Sequence, residues 1–521
     1  MKRSLVFAVS SALALVSVIP AQAEPAYNPH AISQPEGTVG VTVDDGVYSA
    51  EPSIITVGHV TETWANGKEM WGTLTDCVSL EQAPCDPSMA NNKKRMVTAR
   101  LNMPVCETQR DNFCIEQAAM YQDGTPLQAA EFLGYNDGPT VEANSRLGLP
   151  KGAPVSLWRG SANHTGGSSN YAVQARAEFR MEKGKFILDR FEATVFPYLE
   201  IPNPGETGFR FAVRDDGTQT IQGFPAGYAF IKKDTAGQIQ NFNLDTRVQL
   251  KLRVPNSIKG WLKGRATDPN FTATRLNNTS SLWNLDAKPV IVPKIRIFTT
   301  DDKRTRMMKE HPLWSDNRAE SWNNLWTSAE STGPWSMDWV NDLRGIASDT
   351  ATGQAVVWQI AATSWGTGQC DSRARGISGF VLTNALAYQG NTPQYRRGFL
   401  DYQVSGMHFL PDGTKALGTY DLVMDSNVAR CLYGFSRAPV SGTITISGEG
   451  DRNIATTIVN EKNGWLKLSA QGFTFSKKTI RVKLTQPRQR TLTCVSRSTP
   501  VKTTRVVGTN PKCPAGFQPR A

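Results

Sequence analysis

Val248-Gln249-Leu250-Lys251-Leu252-Arg253-Val254 is the stretch on which the fold class turns. Aliphatic side chains occupy every second position, and polar or cationic ones fill the gaps. This is the period-2 signature of a strand with one face in a core. Ile480, Val482 and Leu484 alternate with Arg481 and Lys483 in the same way, and Thr443 to Ser447 and Trp465 to Leu468 are similar. Between such segments stand the dipeptides hairpins use: Asp45-Gly46, Asp123-Gly124, Asp137-Gly138, Asp216-Gly217, Asp412-Gly413 and Asn463-Gly464. Helical periodicity is confined to short pieces, the best near 316–328. The expectation is a mainly β protein of two or more antiparallel β-sandwich-like domains with irregular insertions.

Around that pattern, the 521 residues are 39% hydrophobic and 20% charged, which excludes wholesale disorder, collagen and coiled-coil arrays. At about 150 residues per domain the length suits two to four domains. Residues 1–23 read as a secretory signal: Lys2 and Arg3, an apolar run from Leu5 to Pro20, then Ala21-Gln22-Ala23 as a cleavage site. That run is too short and too rich in Ser and Ala to span a membrane comfortably, so an exported chain without an integral membrane segment is expected. A mobile leader follows over 24–37. An amino-terminal β region is expected over 38–300, with an internal boundary near Pro202-Asn203-Pro204-Gly205. A Trp-rich connection occupies 301–345, a carboxy-terminal β-sandwich 346–487, and a basic, disulfide-closed tail 488–521.

Eight cysteines suit an oxidising exterior. Nearness along the chain pairs Cys77 with Cys85, Cys106 with Cys114 and Cys494 with Cys513, which leaves Cys370 for Cys431. With no Cys-x-x-Cys and five scattered histidines, neither a metal site nor a cofactor is expected. The formal charge is +11. Removing Lys2 and Arg3 with the signal leaves +9. The eleven cations of 477–521 have no acid among them, so the body over 24–476 stands at −2. Lys477, Lys478, Arg488, Arg490, Arg497, Lys502, Arg505 and Lys512 are therefore the polyanion-binding candidates, with anionic cell-envelope polymers or glycans as partners. Nucleic acid is excluded as a partner by the exported location and the near absence of aromatic residues in the tail.

Five tryptophans fall within 314–339. Trp322/Trp326 and Trp335/Trp339 are four apart, so each pair would share a helix face and could stack on sugar rings. The alternative is that they fill a small core beneath the connection. Catalytic signals are sparse. No Gly-x-Ser-x-Gly occurs. His164, in a loop of small residues, is the most plausible base yet is expected to be exposed, whereas His59 and His408 read as packed or edge residues. Glu178, Glu182, Asp189, Glu192 and Glu200 crowd one stretch, as a pair of glycosidase carboxylates would. However, Glu182-Lys183-Gly184 reads as a hairpin turn, and Glu192 lies between apolar Phe191 and Ala193. Asp44-Asp45-Gly46 and Asp215-Asp216-Gly217 lack the alternating ligands of a calcium loop.

Thr493-Cys494-Val495, followed by Asn510-Pro511-Lys512-Cys513-Pro514-Ala515-Gly516-Phe517, resembles a short tail on many exported actinobacterial proteins. The preceding block, from Tyr420-Asp421-Leu422-Val423 through Ala429-Arg430-Cys431-Leu432-Tyr433-Gly434-Phe435 to Gly472-Phe473-Thr474-Phe475, resembles a module of uncharacterised secreted proteins from those bacteria. The resemblance covers the last third of the chain and implies location and class, with no activity to carry over. The functional expectation is an exported, non-enzymatic structural or binding protein associated with the cell envelope. A secreted glycan-degrading hydrolase is the first alternative, and an extracellular small-molecule or lipid carrier the second.

Overall fold

The computed structural model describes residues 39–44, 50–63, 69–82, 85, 95–213, 219–222, 227–299, 322–326, 337, 340, 341, 344, 345, 347–363, 368, 370–374, 376–389, 393–435, 441–448, 458–475, 477–486, 490–508 and 511–520. The signal and leader segments, Trp314, Trp335, Trp339 and Arg488 lie outside these residues.

Antiparallel sheets dominate, as the alternation predicts. The spine is a long sheet whose strands neighbour one another in a fixed order. It begins Glu69–Cys77, Ile54–Thr63, Arg95–Asn102, Asn170–Glu182, Lys185–Pro202. It continues Gly353–Thr363, Gly260–Arg265, Ile377–Thr383, Leu417–Asp425, Trp465–Thr474, Ile458–Lys462. In this run the pairing of Gly260–Arg265 with Ile377–Thr383 is parallel and the others are antiparallel. Strands from beyond residue 346 thus hydrogen-bond directly to strands from before residue 300, and the two regions share one sheet.

Two smaller sheets cover it. The first orders its strands Cys114–Gln122, Thr246–Pro255, Ser280–Lys288, Thr267–Arg275. The second orders Ala387–Tyr388, Phe399–Ser405, Lys478–Thr485, Ser441–Gly448. Alternate residues of the shared strands go to different cores. Phe380, Leu382 and Val423 join the amino-terminal core, while Val381, Leu422 and Met424 join the carboxy-terminal one. A strand packed on both faces has no wet side, and all of Ile377–Thr383 is buried. In the amino-terminal core Val248, Leu250, Leu252 and Val254 are at most 1% exposed. Each such side chain contributes roughly 1.5–3 kcal/mol of transfer free energy. Phe271 ties this sheet to the spine, its ring 4.5 Å from Phe380 and 5.0 Å from Trp465 between centroids.

Local turn chemistry behaves as read at two hairpins. The strands before and after Asp123-Gly124 do not pair with each other, and Asp137-Gly138 lies within a long connection. Asp45-Gly46 and Asp216-Gly217 lie outside the described residues. Asn463 (φ 52°) and Gly464 (φ 81°) both take the left-handed conformation that a type I′ hairpin demands, joining Lys462 to its partner Trp465. Lys183 (φ 49°) and Gly184 (φ 76°) do the same between Glu182 and Lys185. Pro202-Asn203-Pro204-Gly205 is a bend: the Asn203 side chain accepts from the N–H of Gly205 (3.0 Å) and Glu206 (2.9 Å). The chain then returns along Thr235–Ile239 to pair with the strand it left.

The helical reading near 316–328 is corrected. Trp322–Trp326 is a strand, paired in parallel with Val39–Asp44. The neighbour supplies backbone partners from outside, and so short a helix would be marginal. The helix Ser426–Tyr433 forms instead. Asp425 caps its start by accepting from the Asn427 N–H at 2.7 Å, and left-handed Gly434 closes its end.

Candidate functional sites

All four expected disulfides are present: Cys77–Cys85, Cys106–Cys114, Cys370–Cys431 and Cys494–Cys513. Three close local loops. Cys370–Cys431 joins the 3-10 turn Asp371–Arg373 to the helix Ser426–Tyr433 across a sequence separation of 61.

His164 departs from expectation, being 2% exposed. The spine strand Lys185–Pro202 lies over its loop. The Gly166 N–H donates to its Nδ1 at 3.0 Å, so the proton sits on Nε2, which donates to the Tyr198 carbonyl at 2.9 Å. Burial lowers its pKa to about 4, against a smaller opposing effect of the Tyr198 bond. Ser168 Oγ is 2.8 Å from Nε2, but the ring's lone pair faces Gly166. In this tautomer His164 does not take a proton from Ser168. His408 is half-buried beside Asp349, its Nδ1 2.8 Å from Arg344, and Arg344 grips Asp349 through two bonds of 2.8 Å. Burial pushes the Asp349 carboxyl up, but hydrogen bonds from Arg344 and His408 outweigh it and hold the group below its ordinary range. His59 lies in the strand Ile54–Thr63.

The crowded acids lie along one hairpin. Glu182 and Glu200 are exposed, Glu178 and Glu192 half-buried, and Asp189 buried. Arg176, directly across from Glu192, pairs with both Glu192 and Glu51. Glu182 reaches Arg180 at 3.5 Å.

The polar face of Thr246–Pro255 holds a network the alternation did not announce. Arg247, Gln249 and Arg253 are at most 7% exposed. Arg247 Nε donates to Asp286 at 2.7 Å, and Nη1 to Asp268 at 2.8 Å. Tyr121 also donates to Asp286, and its phenol is pushed up to about 12 by burial first and by that carboxylate second. Lys467, from the spine, pairs with Asp268, and Lys288 with Asp123. Burial pushes the Asp268 carboxyl up, yet bonds from Lys467 and Arg247 hold it low. Buried Asp421 accepts from the Thr267 hydroxyl at 2.7 Å and the Asp268 N–H at 3.1 Å, and burial raises its pKa. These ions clamp the covering sheet to the spine.

The tail is separate. Arg490–Ser496 pairs with Thr503–Gly508 and Phe517–Pro519 in its own three-stranded sheet. Among its described residues Cys494 is the one buried hydrophobic side chain. Arg490, Arg497, Lys502, Arg505, Lys512 and Arg520 are exposed. Of the other polyanion candidates, Lys477 is exposed, whereas Lys478 is 2% exposed. Lys478 opens a central strand of the second covering sheet and leaves the exposed set. Of the sugar-stacking candidates, Trp322 and Trp326 lie on the strand described above, so the helical argument for a shared face does not hold for them.

Two cavities of similar volume lie among the described residues. One, of about 350 Å³, is lined by Trp261, Asp371, Gln394, Tyr395, Arg396 and Leu432 among others, beside the Cys370–Cys431 bridge. The other, of about 340 Å³, is an apolar groove lined by Leu244, Val290, Ile291, Leu410 and Leu417. Periodicity did not point to Trp261, which lies in a fully buried strand. The available signal for Asp371 was its adjacency to a cysteine in the long-range pair. No family model, curated protein or solved structure matches the chain.

Proposed function

We propose that this protein works outside the membrane as a non-enzymatic binding component of the cell envelope, with the tail sheet as an electrostatic attachment to anionic polymers. The observation that carries the reading is the tail: exposed arginines and lysines on a small sheet, with no acid in 477–521 to neutralise them. Four disulfides suit an oxidising location, and the resemblance of the tail to exported actinobacterial proteins supports the same compartment. Among the described residues no helix is long and apolar enough to cross a membrane. The hydrolase alternative draws no support from Glu182 and Glu192, both tied to arginines.

The test uses the full exported chain against a variant with Arg490, Arg497, Lys502, Arg505 and Lys512 all changed to Gln. Truncation at 476 is unsuitable, because it removes Lys478–Thr485 from the middle of a sheet. The parent chain should co-sediment with insoluble envelope polymer at low salt and be released as salt rises, while the variant stays in solution. Equal pelleting of both at every salt concentration would remove the tail from the account.

A further inference from the structure

We propose that the apolar groove between 289–293 and 416–419 binds a straight-chain fatty acid, its alkyl tail on the aliphatic wall and its carboxylate at Lys415. The two most exposed leucines among the described residues, Leu244 (53%) and Leu417 (52%), come from distant parts of the chain and line this one groove. Apolar side chains gathered in water at a concave place mark a binding surface, unlike the same side chains scattered singly. Val290, Ile291 and Leu410 extend the wall, and among the described residues no aromatic ring lines it. A flat ligand therefore has nothing to stack on, whereas a flexible alkyl chain needs only aliphatic contact. The lining follows the chain from Pro289 to Pro293, about 13 Å of extended backbone. A volume of about 340 Å³ is at the small end of ligand cavities and suits one tail rather than two.

Charge at the rim selects the head. Among the described residues the groove is lined by two cations, Lys288 and Lys415, and by no acid. Lys288 is paired with Asp123. Lys415 is exposed and has no carboxylate partner among the described residues. The nearest acid along the chain, Asp412, is already engaged: its side chain accepts from the Thr414 N–H at 2.9 Å and from the Thr414 hydroxyl at 2.7 Å. The same turn is closed by the Leu410 N–H donating to the Thr414 carbonyl at 2.8 Å, so Leu410 and Lys415 reach the groove together. The Asn384 side chain donates to the Leu417 carbonyl at 2.9 Å and accepts from the Thr419 N–H at 2.8 Å, which fixes the opposite rim. A carboxylate beside Lys415 completes an ion pair, an alcohol forgoes it, and an ammonium is repelled. The groove lies on the body, and its occupancy does not rest on the tail reading.

The experiment is titration of the full exported chain with submicellar decanoate, decanol and decylammonium. It is read by calorimetry and by the methyl resonances of Leu244, Leu410 and Leu417. Decanoate should bind and shift all three, with decanol weaker and decylammonium weakest. Lys415→Glu should weaken decanoate about threefold or more and leave decanol unchanged. Leu417→Asp should weaken decanoate and decanol alike, about tenfold. The chain with its five tail cations changed to Gln should bind decanoate as the parent does, whatever becomes of its pelleting. The proposal falls if decanoate does not bind, if it binds without moving these methyls, if decylammonium binds as tightly, or if the tail variant loses it. It falls too if the chain takes up vesicles of anionic phospholipid but no free decanoate, which would make the groove a membrane contact. A parent dimer that Leu417→Asp splits and decanoate does not would overturn it in favour of self-association. Should Leu417→Asp fail to fold, the parent titration with Lys415→Glu still decides.

Discussion

Two strands with the same alternation meet opposite surroundings. Thr246–Pro255 and Lys478–Thr485 each bury aliphatic residues at every second position and carry cations between them. On the first strand both arginines are buried and Lys251 is half-buried: Arg247 is held by Asp286 and Asp268, and Arg253 Nε donates to Glu116 at 2.6 Å. On the second, Arg481 and Lys483 are exposed and lie over the Phe399 ring, with Arg481 forked onto Asp401 at 2.7 and 2.8 Å. Period 2 decides which face enters the core. What covers the other face depends on strands distant in sequence, here the beginning of Thr267–Arg275 and Lys467 of the spine.

The comparison breaks or sharpens under substitution. Arg247→Met should have the largest effect, about 3–5 kcal/mol by denaturant midpoint, because it leaves buried Asp286 without its cation and takes one of two cations from Asp268. Equal costs for Arg247→Met and Arg481→Met would dissolve the contrast. Replacing both Cys494 and Cys513 by Ser should cost about 3 kcal/mol, and only locally. Amide exchange should lose protection over 490–508 while the main unfolding transition stays put. A matching shift of the main transition would mean that the tail is docked on the body.

The buried histidine supplies a pH test of similar size. His164 has a folded pKa of about 4, against 6.5 when exposed. The unfolded chain therefore binds more protons between those values, and stability falls as pH drops from 6.5 towards 4. The difference amounts to about 3 kcal/mol. His164→Asn should flatten that part of the stability profile, and an unchanged slope would refute the assignment. The smallest effect belongs to the exposed pair: Arg481→Met should cost less than about 1 kcal/mol and shrink further in salt.

Much of the local architecture was legible in the residues themselves. The alternation at Val248 to Val254 and at Ile480 to Leu484, the Asn463-Gly464 hairpin and the three short disulfide loops all follow from interactions between near neighbours. The helical reading of 316–328 failed for want of one fact, that Trp322–Trp326 has a strand partner nearly 300 residues away. His164 was read as exposed because its loop of small residues gives no sign of the strand above it.

The chain by itself determined the strands, their core-facing sides, the cysteine pairs and the concentration of positive charge at the end, since each rests on stereochemistry or composition within a short window. Tertiary structure alone decided that one sheet runs through both regions, that Arg247 and His164 are dry, and that Trp261 and Asp371 line one cavity. Those outcomes depend on hydrogen bonding and burial between segments far apart, where many arrangements share the same local pattern and only the packed whole selects among them.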